Sequence, residues 1–332
     1  MTSGPAGPPR AATDRAGVGA VIDVGSNSVL LLVAGMDAAG RLVARDEALV
    51  TTRLGSGLRP GGPLDPAAAA RTREAVVRLA ARARAAGAAG TWAFATGAAR
   101  RAADGVAFAR EVAVAAGVPV AILSGDEEAR LAYAAVAGDP GAPAAPCLVV
   151  DVGGATTELT LGRGPDVEAT VSLPLGALAL TEAHAGADDV ASDAAWRALG
   201  AAIDAGLATT ELPARARAAG AAVAASGGTA TALATLDLAL PAWDPGRVHG
   251  HALAAAALDA CAARLSRLSA GVRDPAGALD PGRAAILPAG ALVLARVAAA
   301  AGAAAVVVSA HGVRHAYLAE RLAARAAAAA RS

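Results

Sequence analysis

The chain has 332 residues, with 29 basic and 29 acidic side chains and a formal net charge of zero. That balance excludes the broad cationic field of a general nucleic-acid binder, and two distant cysteines, Cys147 and Cys261, exclude a disulfide framework or a cysteine zinc site. Apolar residues make up 55% but aromatics only 2%, so the cores must be built from Ala, Val and Leu, and the length favours two domains.

Every basic residue is Arg, and the Ala/Gly/Arg excess reads as compositional drift that weakens any argument from a single Arg. Residues 1–17 contain Pro and Gly but no apolar signal stretch, and no later run spans a bilayer without turn or charged residues. They read as a disordered tail on a cytoplasmic protein with no membrane partner.

In chain order, strands are predicted at Ala20–Val24, Val29–Val33 and Leu42–Val50, then a helix from Pro66 to Ala86 and a strand at Thr91–Ala95. A helix ending near Gly117, a strand at Val118–Leu123 and a helix to Ala137 complete a first domain, 18–137. The Pro/Gly-rich stretch 138–146 marks a junction, because proline gives no amide proton and turns its predecessor away from helix. The second domain, 147–311, restarts with strands Cys147–Val150, Glu158–Leu161 and Val167–Val171. Helices from Gly176 and Asp188, a strand at Ala221–Ala225, further helices and a strand at Ala305–Ser309 follow. The closing helix, 312–330, is expected to complete the first domain.

Both halves open with an apolar strand that runs into Asp-Val-Gly, a repeat of about 128 residues. In the first, Gly25 permits a tight turn and Ser26, Asn27 and Ser28 offer amides and hydroxyls to an anion. Asn27 is the only Asn in the chain. The second turn, Asp151-Val-Gly-Gly-Ala-Thr-Thr-Glu158, adds two carboxylates suited to Mg²⁺. Thr96 and Arg100 sit where a strand meets a helix, and Gly227, Gly228 and Thr229 form a third such junction able to present amides to phosphate. Ser124 and Glu127 have capping-box spacing; Glu127 also suits a general base, with Glu128 about 100° around the helix as the weaker candidate. Spacing alone leaves cap and base open. The pairs His249/His251 and His311/His315 lack a third-ligand spacing and are not read as metal sites. Trp92, Trp196 and Trp243 are read as packing residues.

Taken in order, these segments resemble the exopolyphosphatase/guanosine pentaphosphate phosphatase family of the actin, Hsp70 and sugar-kinase superfamily. With Arg53-Leu-Gly-Ser-Gly57, Ser172-Leu-Pro-Leu-Gly176 and Ile286-Leu-Pro-Ala-Gly-Ala291, the resemblance runs from Ala20 to about Leu322. It implies an α/β fold of duplicated ribonuclease H-like domains with an interdomain cleft. It also implies Glu127 as the base, Arg100 as a phosphate-contacting arginine, and Asp151 and Glu158 as ligands of Mg²⁺. Phosphate would be held by Asp23, Gly25, Ser26, Asn27, Ser28, Thr96, Gly153, Gly154, Thr156, Thr157, Gly227, Gly228 and Thr229. The chain departs from the family pattern at Ala155, Ala179 and Ala316. The expected activity is Mg²⁺-dependent removal of terminal orthophosphate from inorganic polyphosphate. Guanosine pentaphosphate hydrolysis is the alternative, and a non-hydrolytic nucleotide-binding module is the third reading. A homodimer is left open.

Overall fold

An unbroken apolar strand belongs where both faces of a sheet are covered. In the computed structural model β1 (Gly19–Val24) is such a strand, at the centre of the first sheet. The structure describes residues 17–139, 142, 146–184 and 190–331. β1 pairs antiparallel with β2 (Ser28–Met36), and β2 with β3 (Leu42–Thr51). On its other side β1 runs parallel to β4 (Gly90–Ala95), which carries β5 (Val120–Ile122). In the second sheet β6 (Cys147–Val152) takes the place of β1. It pairs antiparallel with β7 (Thr157–Arg163), β7 with β8 (Asp166–Leu173), and β6 runs parallel to β9 (Ala222–Ser226). β10 (Ala252–Ala254) and β11 (Ala305–Val308) complete the order β8-β7-β6-β9-β11-β10, against β3-β2-β1-β4-β5 in the first sheet. The Asp-Val-Gly repeat is therefore a repeat of topology.

Helices α1 (Pro66–Ala85) and α3 (Gly105–Ala116) cover one face of the first sheet through Val76, Leu79, Phe108 and Val112. Asp65 caps α1, its carboxylate accepting from Ala68 N–H, and Pro66 sits where no intrahelical donor is needed. Between β4 and α3 the single predicted helix is two: α2 (Gly97–Arg101) ends before Asp104, and Gly105 sits so close to the Ala99 carbonyl that any β-carbon would overlap it. On the opposite face lies α4 (Gly125–Ala137), whose Leu131 joins Phe94 of the first sheet while Tyr133 and Val136 pack on Cys147 and Val149 of the second. One helix thus touches both cores.

The second sheet is covered by α5 (Ala177–His184), α6 (Asp193–Leu207), α7 (Leu212–Ala218), α8 (Gly227–Asp237), α9 (Pro245–Val248), α10 (Ala255–Ser266) and α11 (Pro281–Ala300). The start predicted at Asp188 lies outside the described residues; the helix described there is α6, capped by Ser192. Of the predicted tail only Gly17 is described, and of the junction only 138, 139, 142 and 146. α12 (Val313–Ala329) returns to the first sheet, where Tyr317 stacks on Phe94 with ring centroids 4.9 Å apart and Leu318 and Leu322 are fully buried. Ala316, a departure from the family pattern, is buried in this cluster as a packing methyl.

Among the described residues α11 is the helix long and apolar enough to cross a membrane; 78% of its apolar window is buried inside the protein. Pro288 lies within it and supplies no N–H to the Ala284 carbonyl one turn back. Buried Arg273 fills the gap: its Nη1 donates to the Ala284 and Ala285 carbonyls at 2.9 and 2.8 Å. Arg273→Met should cost about 1–3 kcal/mol for the orphaned carbonyls. In a Pro288→Ala background, where an amide returns to Ala284, that cost should shrink in a urea-unfolding double-mutant cycle. An unchanged cost would separate the two residues.

Candidate active site

The two Asp-Val-Gly turns close in the same way, Gly25 N–H donating to the Ser28 carbonyl at 3.0 Å and Gly153 N–H to the Thr156 carbonyl at 2.9 Å. Neither glycine has a positive φ, and what they supply is space. A β-carbon on Gly25 would sit 2.9 Å from Ser28 O, and one on Gly154 would sit 3.1 Å from Asn27 N in the opposite turn. The turns therefore face each other across a gap that side chains at these positions would close. Ser26 Oγ accepts from Ala98 N–H at 2.9 Å, tying the first turn to the start of α2. Asn27 Oδ1 is buried without a partner among the described residues.

Between the sheets opens a cleft of about 460 Å³. Of the residues predicted to hold phosphate, all but Thr157 line it, from Asp23 and Gly25–Ser28 through Thr96, Gly153, Gly154 and Thr156 to Gly227, Gly228 and Thr229. Thr157 is turned into the core, where its hydroxyl donates to the Leu175 carbonyl at 2.7 Å. Ala155 presses its methyl toward Gly97 of the facing domain, so the close approach there depends on Gly97 lacking a β-carbon.

The residue expected to act as base, Glu127, stands away from the cleft wall. Glu127 is exposed, lies off the cleft and is committed to the capping box: its Oε2 accepts from Ser124 N–H at 2.8 Å, which holds its carboxyl below the ordinary value. Glu128, 100° around the helix, is the residue on the cleft wall. Arg100 does not line the cleft; it stands behind Glu128, with Nη1 donating to Glu128 Oε2 at 2.8 Å and to the Leu123 carbonyl, and Nη2 3.9 Å from Glu158. Glu158 also lies behind the wall, 2% exposed and accepting from Ser172 Oγ at 2.7 Å. Asp151 faces the cleft; Ser226 Oγ donates to its Oδ2 at 3.1 Å, and a β-carbon on Gly227 would overlap its Oδ1.

Four carboxylates thus converge. Burial first, and the other members of the group second, push Asp23 up to about 8 and raise Glu158 well above the usual range. Burial raises Glu128 too, against Arg100, and raises Asp151 against its bond from Ser226. The register makes the halves unequal: Asp151 stands opposite Glu158, whereas Asp23 stands opposite Leu30.

Two arginines that the sequence reading passed over complete the cleft. Arg283, at the start of α11, has its guanidinium pushed down to about 10 by burial and by Arg314. Arg314 pairs with Glu47 at 3.1 Å, and Glu47 also accepts from Trp243 Nε1 at 3.2 Å, so a β3 carboxylate joins both domains over the cleft. Trp243 lines the cleft rather than a core. Of the histidines, His249 and His251 lie between α9 and β10, and His251 pairs with Asp237.

The Ppx/GppA phosphatase family model matches residues 33–324. Exopolyphosphatase 2 of Mycobacterium tuberculosis is 32% identical over 292 residues, 84% of this chain and 89% of that protein. An uncharacterised Streptomyces coelicolor protein is 39% identical over 181 residues, and the match spans about half its length, 53%. Among solved structures, the Ppx/GppA family member of Aquifex aeolicus superposes with a TM-score of 0.74 at 25% identity over 92% of this chain and 98% of that one. An exopolyphosphatase-like protein gives 0.81 at 26% identity, with 92% and 99% covered.

The raised carboxyls have a stability consequence. Asp23 titrates near 8 in the native state against an ordinary 3.8, so between those values the native protein holds a proton that the unfolded chain has released. Stability then falls as pH rises across that window. In EDTA, the melting temperature should decline from pH 4 to 8, and Asp23→Asn should flatten the decline. Equal slopes for both proteins would remove Asp23 from the acidic group.

Proposed function

Because the chain belongs to the Ppx/GppA phosphatase family and is a phosphoanhydride hydrolase, we propose that it releases orthophosphate from the end of inorganic polyphosphate with Glu128 as base. The observation that carries this reading is the placement of Glu128, a carboxylate on the cleft wall beside the paired turns and gripped from behind by Arg100.

The terminal phosphoryl group is received by the amides and hydroxyls of the two turns and by the N-terminus of α8 at Gly227 and Gly228. Glu128 orients a water and takes its proton as the water oxygen bonds to phosphorus. The bridging P–O bond breaks, its oxygen stays on the shortened chain as the new terminal phosphate, and the attacked phosphorus leaves as orthophosphate. Arg100 acts as a positioning residue: it fixes the Glu128 carboxylate and holds it toward the ionised state that a base requires. Arg283 supplies positive charge to the phosphates. Mg²⁺ fits the acidic group, in which four raised carboxyls crowd together; Asp151, with Asp23 beside it and Glu158 behind, would hold the ion, whose charge would offset that of the group and of the phosphate oxygens.

One observation favours guanosine pentaphosphate as a second reading. Beyond the turns the cleft continues along Leu49, Trp243, Leu279, Ile286 and Leu287, an apolar wall that suits a nucleoside and that inorganic polyphosphate has no group to use.

Orthophosphate release from long-chain polyphosphate, guanosine pentaphosphate and ATP in Mg²⁺ separates the substrates. Glu128→Gln should lower release by about 10²–10⁴-fold. Glu127→Gln should keep it within a few-fold and lose only the cap, about 0.3–1.5 kcal/mol of stability. Loss of activity in Glu127→Gln with full activity in Glu128→Gln would reverse the assignment.

A further inference from the structure

We propose that Asp139, His249 and His311 form a binding site for one transition-metal ion of the Zn²⁺ class, placed where the two chain crossings between the domains meet. The three come from separate segments. Asp139 follows α4 on the first crossing, His249 precedes β10, and His311 lies between β11 and α12 on the second crossing. None of them lines the cleft, so the site is separate from the acidic group that would take Mg²⁺.

Their ligand atoms lie within 4.8 Å of one another. Asp139 Oδ1 is 3.3 Å from His249 Nε2, and Oδ2 is 2.8 Å from His311 Nδ1. Bonds of about 2.0–2.2 Å in tetrahedral geometry separate neighbouring ligand atoms by roughly 3.3–3.5 Å. The carboxylate meets the two rings through different oxygens and the ligand atoms spread over as much as 4.8 Å, so closing on one ion draws the rings and the carboxylate together by about an ångström. Two imidazoles and a carboxylate are a borderline-soft set that suits Zn²⁺ or Co²⁺ and leaves a fourth position for water.

The histidine side of the site is built on fixed backbone. Gly250 N–H donates to the Val308 carbonyl and Val308 N–H to the His251 carbonyl, both at 2.8 Å, so the turn bearing His249 is locked to β11. Ser309 Oγ and the His311 main chain exchange bonds of 2.9 and 3.1 Å. The His311 ring stacks between His249 and His315, with centroids 4.8 and 4.7 Å away. His315 is not a ligand: it is buried, and its Nδ1 accepts from Gly312 N–H at 3.1 Å.

Without metal, both rings direct an N–H at Asp139. His249 does so through Nε2, because its Nδ1 accepts from Ala310 N–H at 3.3 Å; His311 does so through Nδ1 and is free to move its proton to Nε2. Metal binding shifts each ring proton to the other nitrogen and gives up the long Ala310 bond. His311 and Asp139 are accordingly the stronger ligands and His249 the weaker third. Bound metal ties Asp139 on one crossing to His311 on the other.

The test uses the full chain, stripped with EDTA, dialysed and held in millimolar Mg²⁺ to occupy the cleft carboxylates. Zn²⁺ is titrated by calorimetry, and Co²⁺ is followed by its visible absorption. Wild type should take up one more Zn²⁺ per chain than His311→Ala or Asp139→Asn, show the intense bands of low-coordinate Co²⁺, and gain several degrees of melting temperature that neither variant gains. Circular dichroism checks that both variants are folded, and Asp139→Asn preserves side-chain shape. Equal uptake by all three proteins, including none, would overturn the site.

Discussion

The structure depends on one electrostatic constraint, the convergence of Asp23, Glu128, Asp151 and Glu158 at a single end of two sheets. Two carboxylates about 5 Å apart repel by roughly 3 kcal/mol at an effective dielectric of about 20, and burial adds to the cost of keeping them charged. Protonation relieves this in the metal-free protein, which is why Asp23 and Glu158 are raised so far. Counter-charge relieves it otherwise, and Arg100 is the cation bonded directly to the group.

Much of the local architecture follows from tolerating that charge. Ser172 and Ser226 donate to Glu158 and Asp151 from neighbouring strands, which requires β8 and β9 in these registers. Gly227 has a φ of 81° and no room for a β-carbon beside Asp151, so only glycine serves there. Gly154 and Gly97 let the two domains approach closely enough for the turns to face each other. The two turns are equivalent in topology, and Glu158 at the register position that Leu30 holds in the first sheet makes the second the acidic half.

Except for the three-residue β10, which was read as part of a helical stretch, the strands, the turns and the carboxylate pair were legible in the sequence because they are local. An apolar run into Asp-Val-Gly encodes a buried strand and a tight turn, and Asp151 and Glu158 oppose each other by hairpin register alone. Spacing leaves Glu127 open as cap or base; in the fold it serves as the cap, and a rotation of about 100° along α4 puts Glu128 on the cleft wall. Arg283 and Arg314 were hidden by a composition in which every cation is Arg. The histidines were paired by sequence neighbourhood, whereas His249 meets His311 only through the packing of β10 on β11. The split between α2 and α3 turned on Gly105, a contact no periodicity reports.

With its carboxyls raised by burial and mutual repulsion, the acidic group holds protons where a divalent cation would otherwise balance it. Calorimetric titration of the EDTA-stripped protein with Mg²⁺ at pH 7, in buffers of different ionisation enthalpy, measures this directly. With Asp23 near 8, binding should release about one proton per ion, seen as heat that changes in proportion to the buffer's ionisation enthalpy. Mg²⁺ binding with the same heat in every buffer, or no binding at all, would contradict the account.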